Sequence, residues 1–519
     1  MKTRSLAAGA LLLLACGARM PAIADDASMR SSTAPVESGE LRGRIENDLL
    51  VFRGIPYAAP PVGELRWRAP QPVPHWQGAF DASHFSPGCM QILDPPIEMS
   101  EDCLTLNVWT PAKTRTKSLP VMVWIHGGGY YSGASSLPVY DGAELAREGV
   151  VLVTLNYRLN VFGFFAHSGL NQAGEPHVNF GLLDQIAALR WVQQNIAAFG
   201  GDARNVTIFG ESAGGGSVLL LLTSPHTQGL FHKAIVESGG GFTRKRQADS
   251  TAELRAERTA AGTLVDSVGG SLAAARKRSA DDILKAAAAV ALKAEDTSRP
   301  FRPVVDGEVV RETPGEVFAA GDEARVPLII GTNSFEGVVY NAYPHVTDFW
   351  GTFGFDRDAL LPLYRGVGDA KERDKLMFVF GDAYFVAPAR FLATQHTKRE
   401  PTYLYYFDRL PLDKRTMYPG TPHAMEVPFV FGTGGRAQAQ KDPSFTVEFD
   451  AADKKISAEV RRYWTQFARS GDPNQNGLPS WPRYQRAEDK VLVIDKDIAA
   501  KTHPLTTRLN YHEAQLAPR

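Results

Sequence analysis

Gly210-Glu211-Ser212-Ala213-Gly214 lies between two apolar runs of different character, and that setting decides the fold. The run before it, Asn205-Val206-Thr207-Ile208-Phe209, is largely β-branched and aromatic, the composition of a buried strand. The run after it, from Ala213 to Leu222, is rich in Val and Leu and has the length of a buried helix. A strand, a Gly-x-Ser-x-Gly turn and a helix make a nucleophile elbow. Small flanking residues let the chain bend sharply enough for the serine to project from the end of the sheet. In a chain with 47 glycines the bare motif carries little weight. The strand–turn–helix context supplies the rest.

Outward from the elbow the same alternation repeats. Val121–Ile125, Val150–Leu155, Val206–Phe209, Lys233–Glu237 and Val326–Ile330 are continuous apolar runs, as expected of strands covered on both faces. Between two of them, Leu182–Phe199 places Ile186, Leu189, Val192 and Ile196 at helical spacing. Strands alternating with helices predict a mainly parallel α/β sheet. Glu40–Gly78 reads as edge strands and loops. Ala252–Glu295 reads as a helical insertion over one end of the sheet, with Ser279 as an N-cap. Val304–Val310 carries an Asp-Gly pair and predicts a β-hairpin.

A serine hydroxyl needs a base, an orienting acid and donors for the oxyanion. His126-Gly127-Gly128-Gly129 directly follows the Val121–Ile125 strand, which is the place and composition of an oxyanion loop. In this kind of fold the order along the chain is nucleophile, acid, histidine. Of the 12 histidines, His75, His84, His126, His167 and His177 precede Ser212. His226 and His232 follow it too closely to admit the acid's strand, and His345 leaves hardly any chain between acid and base. His396 sits in the helical run Ala387–Thr397, and His503 and His512 lie in a polar C-terminal tail. His423 remains, in a Pro- and Gly-marked loop after the strand-like Thr402–Phe407. For the acid, Glu336 follows the Val326–Thr332 strand at its carboxyl end, where the sites of open α/β sheets collect. Asp408 ranks second, and Asp306 is better explained as a hairpin turn. Glu211 can tune the site electrostatically.

The bulk composition excludes other classes. At 44% hydrophobic, 22% charged and net charge −1, the chain has no basic field to attract nucleic acid or an anionic membrane. Lys2 and Arg4, the apolar Leu6–Cys16 and the small-x-small Ala22-Ile23-Ala24 predict a signal peptide over 1–24, removed before Asp25. Residues 25–519 are then one catalytic domain, exported to the periplasm or secreted. Cys16 is an alternative lipid-anchor site that Leu14 fits poorly. No later stretch of 18 or more apolar residues stands out as a membrane span. Cys89 and Cys103 remain as an even pair, which export favours as a disulfide and which does not make a zinc site.

With these residues in view, the chain from about Gly54 to Tyr484 resembles the type-B carboxylesterases, the family of cholinesterases and bacterial para-nitrobenzyl esterases. The blocks that carry the resemblance are Phe52–Tyr57, Ser100–Leu104, Asn156-Tyr157-Arg158, Gly200-Gly201-Asp202, Gly210–Gly216, Trp464, Gly471–Asn474 and Trp481-Pro482. The resemblance implies an α/β-hydrolase fold, with helices on both faces of the sheet and helical insertions over the active-site end. It implies Ser212 as nucleophile, Glu336 as acid, His423 as base, and oxyanion donors at the N–H groups of Gly128, Gly129 and Ala213. It further implies a Cys89–Cys103 disulfide and structural ion pairs of Arg66 with Glu101 and Arg158 with Asp184. The segment between Cys89 and Cys103 is short and lacks Trp, and the later disulfides of the animal enzymes are missing; both features argue against cholinesterase specificity.

The expected activity is two-step hydrolysis of a small-molecule carboxylic ester through an acyl-serine, with no metal or organic cofactor. Two rivals follow from the same features: a non-catalytic binding protein on this fold, and an interfacial lipase. The first typically lacks the nucleophile that this chain keeps, and the second needs a long amphipathic lid that the sequence does not offer. Tyr130, Tyr131, Trp350, Phe353 and Phe355 are candidates to line a gorge or, equally, to pack a core.

Overall fold

A computed structural model describes residues 31–92, 97–111, 118–170, 178–240, 250–293, 300–367, 372–435 and 447–516. The predicted signal segment 1–24 with Cys16, His177, and the end of the predicted insertion at Glu295 lie outside them. The strands in chain order are β1 (Ser31–Val36), β2 (Gly39–Glu46), β3 (Leu49–Pro56), β4 (Ala79–Asp81), β5 (Gly88–Cys89), β6 (Met99–Ser100), β7 (Thr105–Thr110), β8 (Leu119–Ile125), β9 (Val151–Leu155), β10 (Gly201–Glu211), β11 (Lys233–Glu237), β12 (Leu328–Asn333), β13 (Thr402–Phe407), β14 (Lys490–Ile494) and β15 (Ile498–Thr502). β5 and β6 pair separately. The others form one sheet in the order β1-β2-β3-β7-β9-β8-β10-β11-β12-β13-β14-β15, with β4 beside β2. From β9 through β14 every neighbour is parallel, while the other pairs are antiparallel except β4, which is parallel to β2.

The continuous apolar runs follow from the strand's two-residue period. Val121, Val123 and Ile125 of β8 enter one core, beneath the helices Phe180–Asn195, Ala213–Thr223 and Ala387–His396. Met122 and Trp124 of the same strand enter the other, beneath Ala451–Ser470. Ile208 and Phe209, Ile330 and Ile329 divide in the same way. A central strand with both faces covered leaves no position for a polar alternate. Each large aliphatic or aromatic side chain removed from water contributes about 1.5–3 kcal/mol before the entropy cost of ordering the chain.

The insertion forms the helices Ser250–Ser267, Leu272–Arg276 and Ala280–Lys293, and Ser279 Oγ accepts the Asp282 N–H at 3.1 Å as an N-cap. The Cys89–Cys103 disulfide is present, and the pairs Arg66–Glu101 (2.5 Å, partly buried) and Arg158–Asp184 (2.7 Å, buried) are formed.

Two expectations are corrected. Val304–Val310 is not a hairpin: Asp306 Oδ1 accepts the N–H groups of Glu308 and Val310, and Asn179 satisfies Val304, so the backbone finds partners without a strand. His503 and His512, read as part of a polar C-terminal tail, are themselves buried, and His512 bonds the Tyr364 hydroxyl at 2.8 Å. The expectation that no later stretch spans a membrane stands: Glu372–His396 is long and apolar enough by length and composition, but 83% of its apolar window is buried within the protein.

Candidate active site

β10 runs into the helix Ala213–Thr223 with Ser212 at the corner, at φ 56° and ψ −121°. A side-chain-bearing residue is rarely found there, and such positions cost of order 1–3 kcal/mol. The corner is held by the Ser212 N–H bonding Glu237 O (2.9 Å) and the Gly216 N–H bonding Ser212 O (2.7 Å). Glycine is required at 214, where a Cβ would collide with the Ile125 carbonyl of β8. The motif's spacing is thus the spacing of a turn wedged between strands β8 and β11.

β8 ends one residue before the glycine loop. Gly127 lies so close to the elbow that a Cβ there would be 3.1 Å from Ser212 Cβ. Gly128 and Gly129 take φ of 106° and 66°, and among the described residues their N–H groups, like that of Ala213 at the helix start, donate to no protein acceptor. Free donors beside a serine suit an oxyanion. Buried His126 stacks on Tyr157 (4.5 Å), and burial pushes its pKa down to about 4, so it supports the loop as a neutral ring.

β12 ends at Asn333 and delivers Glu336; the loop after β13 delivers His423. The two loops are stitched together. The Phe335 N–H bonds Thr421 O (2.9 Å), the Thr421 N–H bonds Ser334 Oγ (2.7 Å), and Asn333 Nδ2 bonds Pro422 O (2.9 Å). As a result His423 Nδ1 donates to Glu336 Oε2 at 2.5 Å, although 87 residues separate them. Glu336 Oε1 accepts from the Asn333 N–H (2.6 Å) and the Ser238 hydroxyl (2.5 Å). The other ring nitrogen, Nε2, faces Glu211 Oε1 at 3.1 Å, at an angle that makes no hydrogen bond. The Ser212 hydroxyl makes no hydrogen bond among the described residues. The structure therefore joins His423 and Glu336 directly, and brings Glu211, the neighbour of Ser212, against the imidazole.

Asp408, the second candidate acid, closes β13 with its N–H on Ile494 O (2.8 Å), and no bond or ion pair joins it to His423 among the described residues. The sequence reading missed Ser238, Glu237 and Glu426. Glu426 follows His423 by three residues and bonds Asn333 Nδ2, and Glu237 accepts from Trp464 Nε1 (2.7 Å). A carboxylate at the end of an otherwise apolar strand, Ala234-Ile235-Val236-Glu237, was the available signal. Trp350, Phe353 and Phe355 belong to an aromatic cluster with Phe349 and Tyr340, while Phe385 lies on the His423 ring at 4.8 Å.

Glu211, Glu237, Glu336 and Glu426 are each at most 3% exposed, so they cannot all shed their protons freely. Burial, with the neighbouring carboxylates, pushes Glu211 and Glu426 up to about 8 and 7, and Glu237 well above its ordinary value. For His423 burial acts downward, but the charges of Glu211 and Glu336 and the bond to Glu336 outweigh it and carry the imidazole to about 9. Among the described residues no group of three or more His, Cys, Asp or Glu is placed to hold a metal ion.

A family model described as "Carboxylesterase family" matches residues 30–349 and 365–512. The chain is 38% identical over 492 residues to the para-nitrobenzyl esterase of Bacillus subtilis, covering 92% of this chain and 97% of that protein. It is 36% identical over 472 residues to the fumonisin B1 esterase of Sphingopyxis macrogoltabida, covering 87% and 84%. Among solved structures it is similar to a PNB esterase (TM-score 0.77, 35% identity, 92% of this chain and 99% of that chain). A thermophilic PNB esterase aligns with TM-score 0.79 at 34% identity, over 94% and 100%.

Proposed function

The chain belongs to the carboxylesterase family and is a serine carboxylic-ester hydrolase; from that premise we propose that Ser212, His423 and Glu336 carry the reaction. The observation that supports this most is the 2.5 Å bond from His423 Nδ1 to Glu336 Oε2 beside a serine held at φ 56° on the strand-to-helix corner. His423 Nε2 takes the Ser212 proton as Ser212 Oγ attacks the ester carbonyl. The Ser212–His423 hydrogen bond forms once substrate is seated, as catalytic hydrogen bonds tighten in the Michaelis complex. The tetrahedral oxyanion rests on the N–H groups of Gly128, Gly129 and Ala213. Collapse expels the alcohol, protonated by His423. Water, deprotonated by the same ring, then releases the acid. Glu336 holds the Nδ1–H tautomer throughout.

The substrate is a small-molecule carboxylic ester. Ser212→Ala should abolish turnover of p-nitrophenyl acetate and labelling by a fluorophosphonate probe, with an unchanged circular-dichroism spectrum. Retained turnover in a folded variant would refute the assignment.

A further inference from the structure

The three glycines of the oxyanion loop present a difficulty. A triple glycine reaches the backbone angles the donors need, but it also has the largest conformational freedom to lose. Pre-aimed donors are effective only if the loop does not have to reorganise during the reaction. Loop 126–133 closes on itself where the N–H groups of Tyr131 and Ser132 bond Gly128 O (3.0 and 3.1 Å). Gly133 is the closing point: at φ 112°, a Cβ there would collide with the His126 ring and lie 2.6 Å from Gly127 O.

One side chain grips that point. Gln91, 2% exposed, accepts the Gly133 N–H on Oε1 (2.9 Å) and donates Nε2–H to Gly133 O (3.1 Å). Its amide thus pairs with both backbone groups of one residue, as a neighbouring strand would. The second Nε2 proton goes to Cys89 O (2.9 Å), and Cys89 is bonded to Cys103. The adjoining residue adds a second strap: Asn160 Nδ2 donates to Met90 O (3.0 Å) while the Asn160 N–H bonds Tyr130 O (2.7 Å).

We propose that Gln91 is a positioning residue for the oxyanion hole, through which the disulfide-anchored segment holds Gly128 and Gly129 aimed at the reacting carbonyl. This rests on the reading of those two N–H groups as oxyanion donors. Removing the grip leaves Ser212, His423 and Glu336 in place and loosens only the donors. The interaction is made mainly in the transition state, so the loss falls on kcat.

The test uses Gln91→Met, which keeps side-chain length and loses the amide bonds, beside Gln91→Ala. Losing one oxyanion donor outright costs about 100- to 1000-fold, so loosened donors should lower kcat for p-nitrophenyl acetate by about 10- to 100-fold, with KM within about threefold. Affinity for an aryl trifluoromethyl ketone, whose adduct carries the oxyanion, should weaken by the same factor as kcat/KM. A fall in melting temperature with both ratios within twofold of wild type would overturn the proposal. So would a rise in KM alone. If wild-type enzyme binds the trifluoromethyl ketone no tighter than its methyl counterpart, the oxyanion reading itself fails, an outcome separate from failure of the Gln91 role.

Discussion

Glu211→Gln is the most informative perturbation of the site. The structure places Glu211 Oε1 3.1 Å from His423 Nε2, and burial, Glu211 and Glu336 together bring the imidazole from 6.5 to about 9. Among the raising causes Glu211 is the largest. At an effective dielectric constant of about 20 the pair is worth at most about 5 kcal/mol, a ceiling because the Glu211 carboxyl is itself partly protonated. Returning about half to three quarters of the rise moves the pKa down by about 1 to 2 units, or about 1.4–2.7 kcal/mol. The base works only when neutral, so activity rises with pH through the His423 pKa. In the variant the limb in kcat/KM should therefore fall from near pH 9 towards about pH 7–8. The reacting state also carries an imidazolium, and it loses the same stabilisation. The alkaline plateau should accordingly drop by about 10- to 100-fold, while rates on the acid side of both limbs coincide. The assay is initial-rate hydrolysis of p-nitrophenyl acetate from pH 5.5 to 10 at fixed ionic strength. A limb that stays within about 0.3 pH of wild type or moves upward refutes the electrostatic account. A shifted limb with an undiminished plateau refutes the claim that the same carboxylate serves both states.

Two further outcomes concern stability. His126, His503 and His512 are held neutral by burial, at about 4, 3 and 4, below the 6.5 of the unfolded chain. Their contribution is complete above pH 6.5 and is lost as pH falls, by up to about 3 kcal/mol each at pH 4. The urea midpoint should decline steeply between pH 6.5 and 4, and an equal midpoint at pH 7 and 4.5 would contradict this. The Cys89–Cys103 bridge closes a loop of sequence separation 14, so the Cys89→Ser/Cys103→Ser double variant should lose about 3 kcal/mol in urea unfolding; a loss under 1 would show that the reduced chain already orders that segment.

Much of the fold is legible in local patterns. The strands β8, β9 and β11 coincide closely with apolar runs, because both of their faces are buried, while β10 extends its apolar run Val206–Phe209 back to Gly201. Ser212 is legible because a turn of that sharpness admits only small neighbours. The Val304–Val310 hairpin is misread because an Asp-Gly pair specifies a turn and not what its arms pair with. Here Asn179, far away in the chain, takes that backbone. The burial of His512 is not legible because its ring bonds Tyr364, 148 residues away, a partner that no local window contains.

Taken alone, the sequence determines which elements form and which side chains are chemically able to act: the elbow serine, a glycine loop after a strand, and a histidine and a carboxylate each following a strand. These depend on neighbours within a few residues, and short-range sterics and periodicity encode them. The tertiary structure decides what those groups meet. It pairs His423 with Glu336 across 87 residues, sets Glu211 against the other face of the imidazole, buries four carboxylates together and fastens Gly133 to Gln91. Desolvation and charge proximity depend on distance through space, and that distance exists only once the sheet has brought its strand ends side by side.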